Sequence, residues 1–107
     1  NTMQLTLDQI DLYLNSKQDS DVIGQGCSSY GCLVANALTF LHPAYFWTVG
    51  EDGADGLLDL THPSSSFLSS HAIITFPEEI EAIVLHFDTI AGDGGLLTKA
   101  EWRAACR

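Results

Sequence analysis

The stretch CLVANALTFL, residues 32–41, constrains this chain more than any other. Leu33, Val34, Ala35, Ala37, Leu38, Phe40 and Leu41 leave a helix over 31–41 apolar on nearly every side. Such a helix is stable only where neighbours cover several of its faces. It is too short for the roughly 18–20 residues of a membrane span, and Asn36 and Thr39 interrupt it. The rest of the chain must therefore wrap around it. Ser28 or Ser29 is placed to cap its start, and His42-Pro43 ends it.

The surrounding segments read as partners for that helix. In LTLDQIDLYLNSK, Thr6 and Gln9 form a capping box and Leu5 and Ile10 stand at the staple positions. Leu7, Ile10 and Leu14 make an apolar stripe, with Asp8, Asp11 and Asn15 turned out. VIG (22–24) is a short apolar step with the character of a strand fragment. YFWTVG (45–50) is aromatic and β-branched, EDGADG is turn chemistry, and LLDLT (57–61) is the returning strand of a hairpin. HAIITF (71–76) is a third strand after the coil HPSSSFLSS. A helix opening at Pro77, with Glu78 and Glu79 at its positive end, buries Ile80, Ile83, Val84 and Phe87. After the loop TIAGDGG, Thr98 and Glu101 repeat the capping box, with Leu97 and Trp102 as the staple. The order α-α-β-β-β-α-α predicts an α+β fold in which a small antiparallel three-stranded sheet packs against about four helices. Residues 1–107 are expected to form a single domain.

Charge narrows the partners. Fourteen acidic residues against four basic ones give a net charge of −10. Lys99, Arg103 and Arg107 lie in the last nine residues, and no Lys or Arg occurs between Asp19 and Asp93. Nucleic acids and anionic membranes bind through neutralisation of phosphate by Lys and Arg, so neither is an expected partner. A basic protein surface is. No segment resembles a secretion signal, and three cysteines make no paired framework, so the expected setting is a reducing cytoplasm, bacterial or phage in type.

The stretch QGCSSYGCL carries the only constellation that suggests catalysis. Cys32 opens a helix, where the dipole and free N–H groups favour a thiolate. His71 begins a later strand, and Asp88 or Asp59 is available to orient it. Gln25 precedes the cysteine by seven residues. This order resembles the papain-like cysteine peptidases, especially their bacteriocin-processing and phage relatives. The resemblance implies Cys32 as nucleophile, His71 as general base, Asp88 as orienting residue and Gln25 as oxyanion donor. It departs from the family in the shortness of the chain, in the placing of Asp88 on a helix and in the Leu that follows Cys32.

Two metal readings arise from spacing. FDTIAGDGGLLTKAEW resembles an EF-hand loop running from Asp88 to Glu101, but it is 14 residues long rather than 12 and carries too few carboxylates at ligand positions. Cys27-x4-Cys32 with His42, His62 or Cys106 offers zinc ligand types without the usual paired spacing. No metal or other cofactor is expected from either. Phosphate-binding, dinucleotide and hydrolase-elbow motifs are absent from the sequence.

The reading that best fits the residues is a small acidic, non-catalytic interaction module of inhibitor, immunity or regulatory type. Its expected contact residues are Glu51, Asp52 and Asp55 of the hairpin turn and Glu78, Glu79 and Glu81 of the third helix. A small cysteine hydrolase or acyltransferase using Cys32 and His71 is the alternative class, and calcium binding at 88–101 is a further one.

Overall fold

A computed structural model describes residues 3–106. Helix α1 (Leu7–Asn15) starts at its expected cap: Thr6 Oγ1 accepts from Gln9 N–H at 3.2 Å and Gln9 Oε1 accepts from Thr6 N–H at 3.0 Å. Strand β1 (Val22–Gln25) follows, then helix α2 (Leu33–Leu41). Strands β2 (Tyr45–Val49), β3 (Gly53–Leu58) and β4 (His71–Thr75) come next, with a single 3₁₀ turn at Ser65–Phe67 before β4. Helix α3 (Glu78–Ala91), strand β5 (Leu96–Thr98) and helix α4 (Lys99–Ala105) complete the chain. The architecture is α+β. Among the described residues no helix is long and apolar enough to cross a membrane.

β2, β3 and β4 form an antiparallel sheet in that order, with Val49 opposite Ala54 and Ala54 opposite Ile74 at one end. Tyr45, Trp47, Val49, Ala54, Leu58, Ala72 and Ile74 point to the helical side and are buried. On that side α2 contributes Leu33, Val34, Ala35, Ala37 and Leu38, all essentially inaccessible. α1 supplies Ile10 and Tyr13, α3 supplies Ile80, Val84 and Phe87, and α4 adds Trp102. These residues form one cluster. Phe40 departs from the all-round burial expected of α2: it is exposed, with its ring edge against Tyr13 at 5.7 Å.

The strand fragment expected at VIG is present as β1, and three local features go beyond or against the expectations. First, β1 pairs antiparallel with β5, a strand with no local signal of its own. Short strands of this kind exist only through their partner, which is 70-odd positions away. Gly24 permits the crossing: a Cβ there would lie 2.6 Å from Leu33 N and 2.9 Å from Phe87 Cζ. Second, β3 starts at Gly53, inside the expected turn. The glycines that suggest a turn instead admit close neighbours, since a Cβ on Gly53 would meet Ile74 O at 2.5 Å and one on Gly56 would meet the Trp47 ring at 2.9 Å. Third, α2 is capped by Cys32 rather than by a serine; Ser28 Oγ accepts from Gly31 N–H at 3.0 Å and closes the preceding turn.

Candidate functional site

The loop between β1 and α2 is wound tightly onto the end of α3. Gly26 N–H donates to Gly95 O at 2.8 Å, Gly94 N–H donates to Gly26 O at 3.0 Å, and Gln25 Nε2 donates to Gly94 O at 3.2 Å. Cys27 takes a left-handed backbone, φ 55°, which costs a non-glycine residue some strain. Its N–H is held there by Asp88 Oδ1 at 2.9 Å. The result is a cleft of about 210 Å³ between this loop, the β2–β3 turn and α3, and Cys27, Ser29, Cys32, Glu51, Val84 and Asp88 are among its walls.

Two of the expected catalytic residues, Cys32 and Asp88, therefore share a cleft. The other roles are not assembled around them. Asp88 is committed to Cys27 N–H rather than to an imidazole. Gln25 is tied to Gly94 O, beside the cleft and not among its walls. His71 opens β4 opposite Leu57, while the cleft adjoins the Gly53–Thr75 end of the same ladder. Four residues of strand separate those ends, about 13 Å. The His71 side chain also lies on the exposed face of the sheet, away from α2, with Ser70 Oγ 3.5 Å from its ring nitrogen. No histidine lines the cleft.

The electrostatics run against an activated thiol. Cys32 Sγ accepts from Ala35 N–H at 3.4 Å and serves as the helix cap. Burial pushes its thiol above the ordinary range, outweighing the lowering effect of the Ala35 and Val34 N–H groups. Exposed Cys27 is also pushed up, by partial loss of water and by the Asp88 and Asp93 carboxylates. Cys106 is free, exposed and raised by desolvation. A cleft holding two thiols and two carboxylates stabilises S–H, not S⁻.

The metal spacings resolve into structural contacts. Glu101 Oε1 accepts from Thr98 N–H at 2.9 Å and Thr98 Oγ1 accepts from Glu101 N–H at 3.2 Å, so the second capping box occupies the carboxylate at the end of the EF-hand-like segment. That bond holds the Glu101 carboxyl below its usual range. Asp88, at the other end, is the Cys27 anchor. His42 and His62 meet in a separate depression with Tyr45 and Leu68, and His42 is at the far end of α2 from Cys32, about 15 Å along the axis. Among the described residues no group of three His, Cys, Asp or Glu side chains is arranged to hold a metal.

Four of the expected contact acids lie on segments joined by one backbone bond. Phe76 N–H donates to Asp52 O at 2.9 Å, which ties the β2–β3 turn to the start of α3. Glu51 and Asp52 on the turn are thereby linked through the backbone to the segment that leads into Glu78 and Glu79 of the first helical turn, and all four are exposed. Glu81 follows on α3, half-buried. The α3 acids also complement the helix dipole, a role that needs no partner. Asp55 lies on the outer face of β3 opposite Ile73, and it shares with Asp52, Thr48, Ile73 and Thr75 a shallow depression of about 410 Å³. The described basic residues lie elsewhere: Lys99 Nζ donates to Lys17 O at 2.9 Å and Arg103 meets Asp19 at 3.4 Å.

The outer face of the sheet also exposes apolar side chains. Phe46, Leu57 and Ile73 are 64%, 56% and 59% exposed on the outer face of the sheet, which no helix covers. Strand alternation foretells an outer set of side chains, but whether a layer covers them depends on the path of the whole chain. Comparison with protein-family models, curated proteins and solved structures finds no match to this chain.

Proposed function

We propose that the protein is a non-catalytic interaction module, of inhibitor, immunity or regulatory type, that binds a basic protein surface through the hairpin end of its larger sheet. The observation that carries this reading is the Phe76–Asp52 bond. It ties the turn that carries the exposed Glu51 and Asp52 to the segment leading into the exposed Glu78 and Glu79, next to a sheet whose apolar outer face carries Asp55. The described Lys and Arg side chains offer these carboxylates no internal partner. Lys-rich or Arg-rich segments with interspersed apolar residues suit such a surface. A reducing cytoplasm suits the three free thiols.

The test is binding of a lysine-rich amphipathic peptide and of the same peptide with glutamine for lysine, followed by calorimetry across roughly 0.05–0.5 M salt. The expected result is selective binding of the cationic peptide that weakens about tenfold or more over that range. A combined Asp52→Asn, Glu78→Gln, Glu79→Gln variant should lose most of it, whereas Asp8→Asn with Asp11→Asn on α1 should not. Salt-independent affinity, no binding of the cationic peptide, or equal loss in the α1 variant would overturn the reading.

A further inference from the structure

The two edges of the larger sheet are not equivalent. Gly50 N–H donates to Gly53 O and Asp59 N–H to Ala44 O, so the even-numbered residues of β2 bond to β3 and the odd ones point outward. That edge is partly occupied: Val49 N–H donates to Ser29 O at 2.8 Å, and Tyr45 N–H to His42 O at 3.3 Å in the turn that leads into the strand. On the other side, Leu58 N–H donates to Ser70 O and Phe76 N–H to Asp52 O. The even residues of β4 therefore face β3, and the N–H and C=O groups of His71, Ile73 and Thr75 face away from it. Among the described residues none of these groups has a backbone partner. β4 also lacks the devices that guard edges, since HAIIT contains no Lys, acid, Pro or Gly.

We propose that this edge pairs antiparallel with β4 of a second copy, joining two three-stranded sheets into one of six strands. The edge is self-complementary. A two-fold axis at Ile73 sets Ile73 opposite Ile73 and His71 opposite Thr75, and about six main-chain hydrogen bonds form. The exposed Phe46, Leu57 and Ile73 of both copies then form one continuous face. A five-residue strand pair buries far less than the roughly 1,200 Å² of a stable interface, and two chains of charge −10 repel. The dimer is therefore weak, and salt strengthens it.

Sedimentation over about 10 µM to 1 mM protein, at low and high salt, tests this. The expected result is a monomer–dimer equilibrium tightened by salt, opposite in sign to the salt effect on binding a basic peptide, so the two proposals fail separately. Ile73→Pro deletes the donors at the axis without removing a bond to β3, and should weaken association at least tenfold. Ile73→Lys, which leaves the backbone intact, should do the same. Hydrogen exchange at high concentration should protect the amides of His71, Ile73 and Thr75. A chain monomeric throughout, a dimer indifferent to both substitutions, or protection confined to other segments would overturn the proposal.

Discussion

Cys32 offers the sharpest test of what the β1–α2 loop is for. Its sulfur is the acceptor for Ala35 N–H at 3.4 Å, and the residue is 5% exposed. Cys32→Ala leaves that N–H without a partner at a position that water does not reach, since Ala35 is fully buried. An orphaned buried N–H costs about 1–3 kcal/mol. The lost packing of the sulfur adds about 1 kcal/mol. For a domain of this size the sum lowers Tm by roughly 10–25 °C. Cys32→Ser restores an acceptor, and serine is among the preferred capping residues, so its Tm should stay within about 5 °C of the parent. Thermal and urea unfolding of the three proteins under reducing conditions decide the matter. Equal damage from serine and alanine, or an alanine variant as stable as the parent, would refute the view that this cysteine is a cap.

Three further outcomes follow from the same contacts. With iodoacetamide at neutral pH, Cys27 and Cys106 should be modified in the native protein and Cys32 only after unfolding; fast reaction of Cys32 at pH 6, read by mass spectrometry, would contradict its raised pKa and burial. Gly24→Ala drives a Cβ onto Leu33 N and the carbonyl carbon of Cys32, both backbone atoms that cannot yield, and should cost about 3 kcal/mol or more in urea unfolding. Burial holds the His42 imidazole below its ordinary pKa, so the unfolded chain takes up a proton there before the native protein does. Stability should thus fall as pH drops through about 6.5 and level off below the native pKa. His42→Asn should flatten that pH dependence in urea titrations, and an unchanged slope would count against it.

Elements with local signals were legible. Both capping boxes form as expected, and the 3.6-residue pattern of Ile80, Ile83, Val84 and Phe87 marks the inner face of α3, although Ile83 is only partly buried. The candidate acids were legible as residue types, but the link between the segments that carry them was not. Glu51 and Glu78 are far apart in sequence, and the bond that unites their segments lies between backbone atoms of Asp52 and Phe76.

What the sequence determined by itself is whatever depends on near neighbours: helix caps, apolar periods, the acidic charge, and the need for layers around residues 33–41. The tertiary structure alone decided that Cys32 and Asp88 share a cleft while His71 sits at the other end of the sheet on its opposite face. It also decided that β5 exists, because a three-residue strand is stable only against its partner. Likewise, composition says nothing of which edge of a sheet is covered. The strand pairing sets that, since it fixes which backbone groups turn inward and which are left facing out.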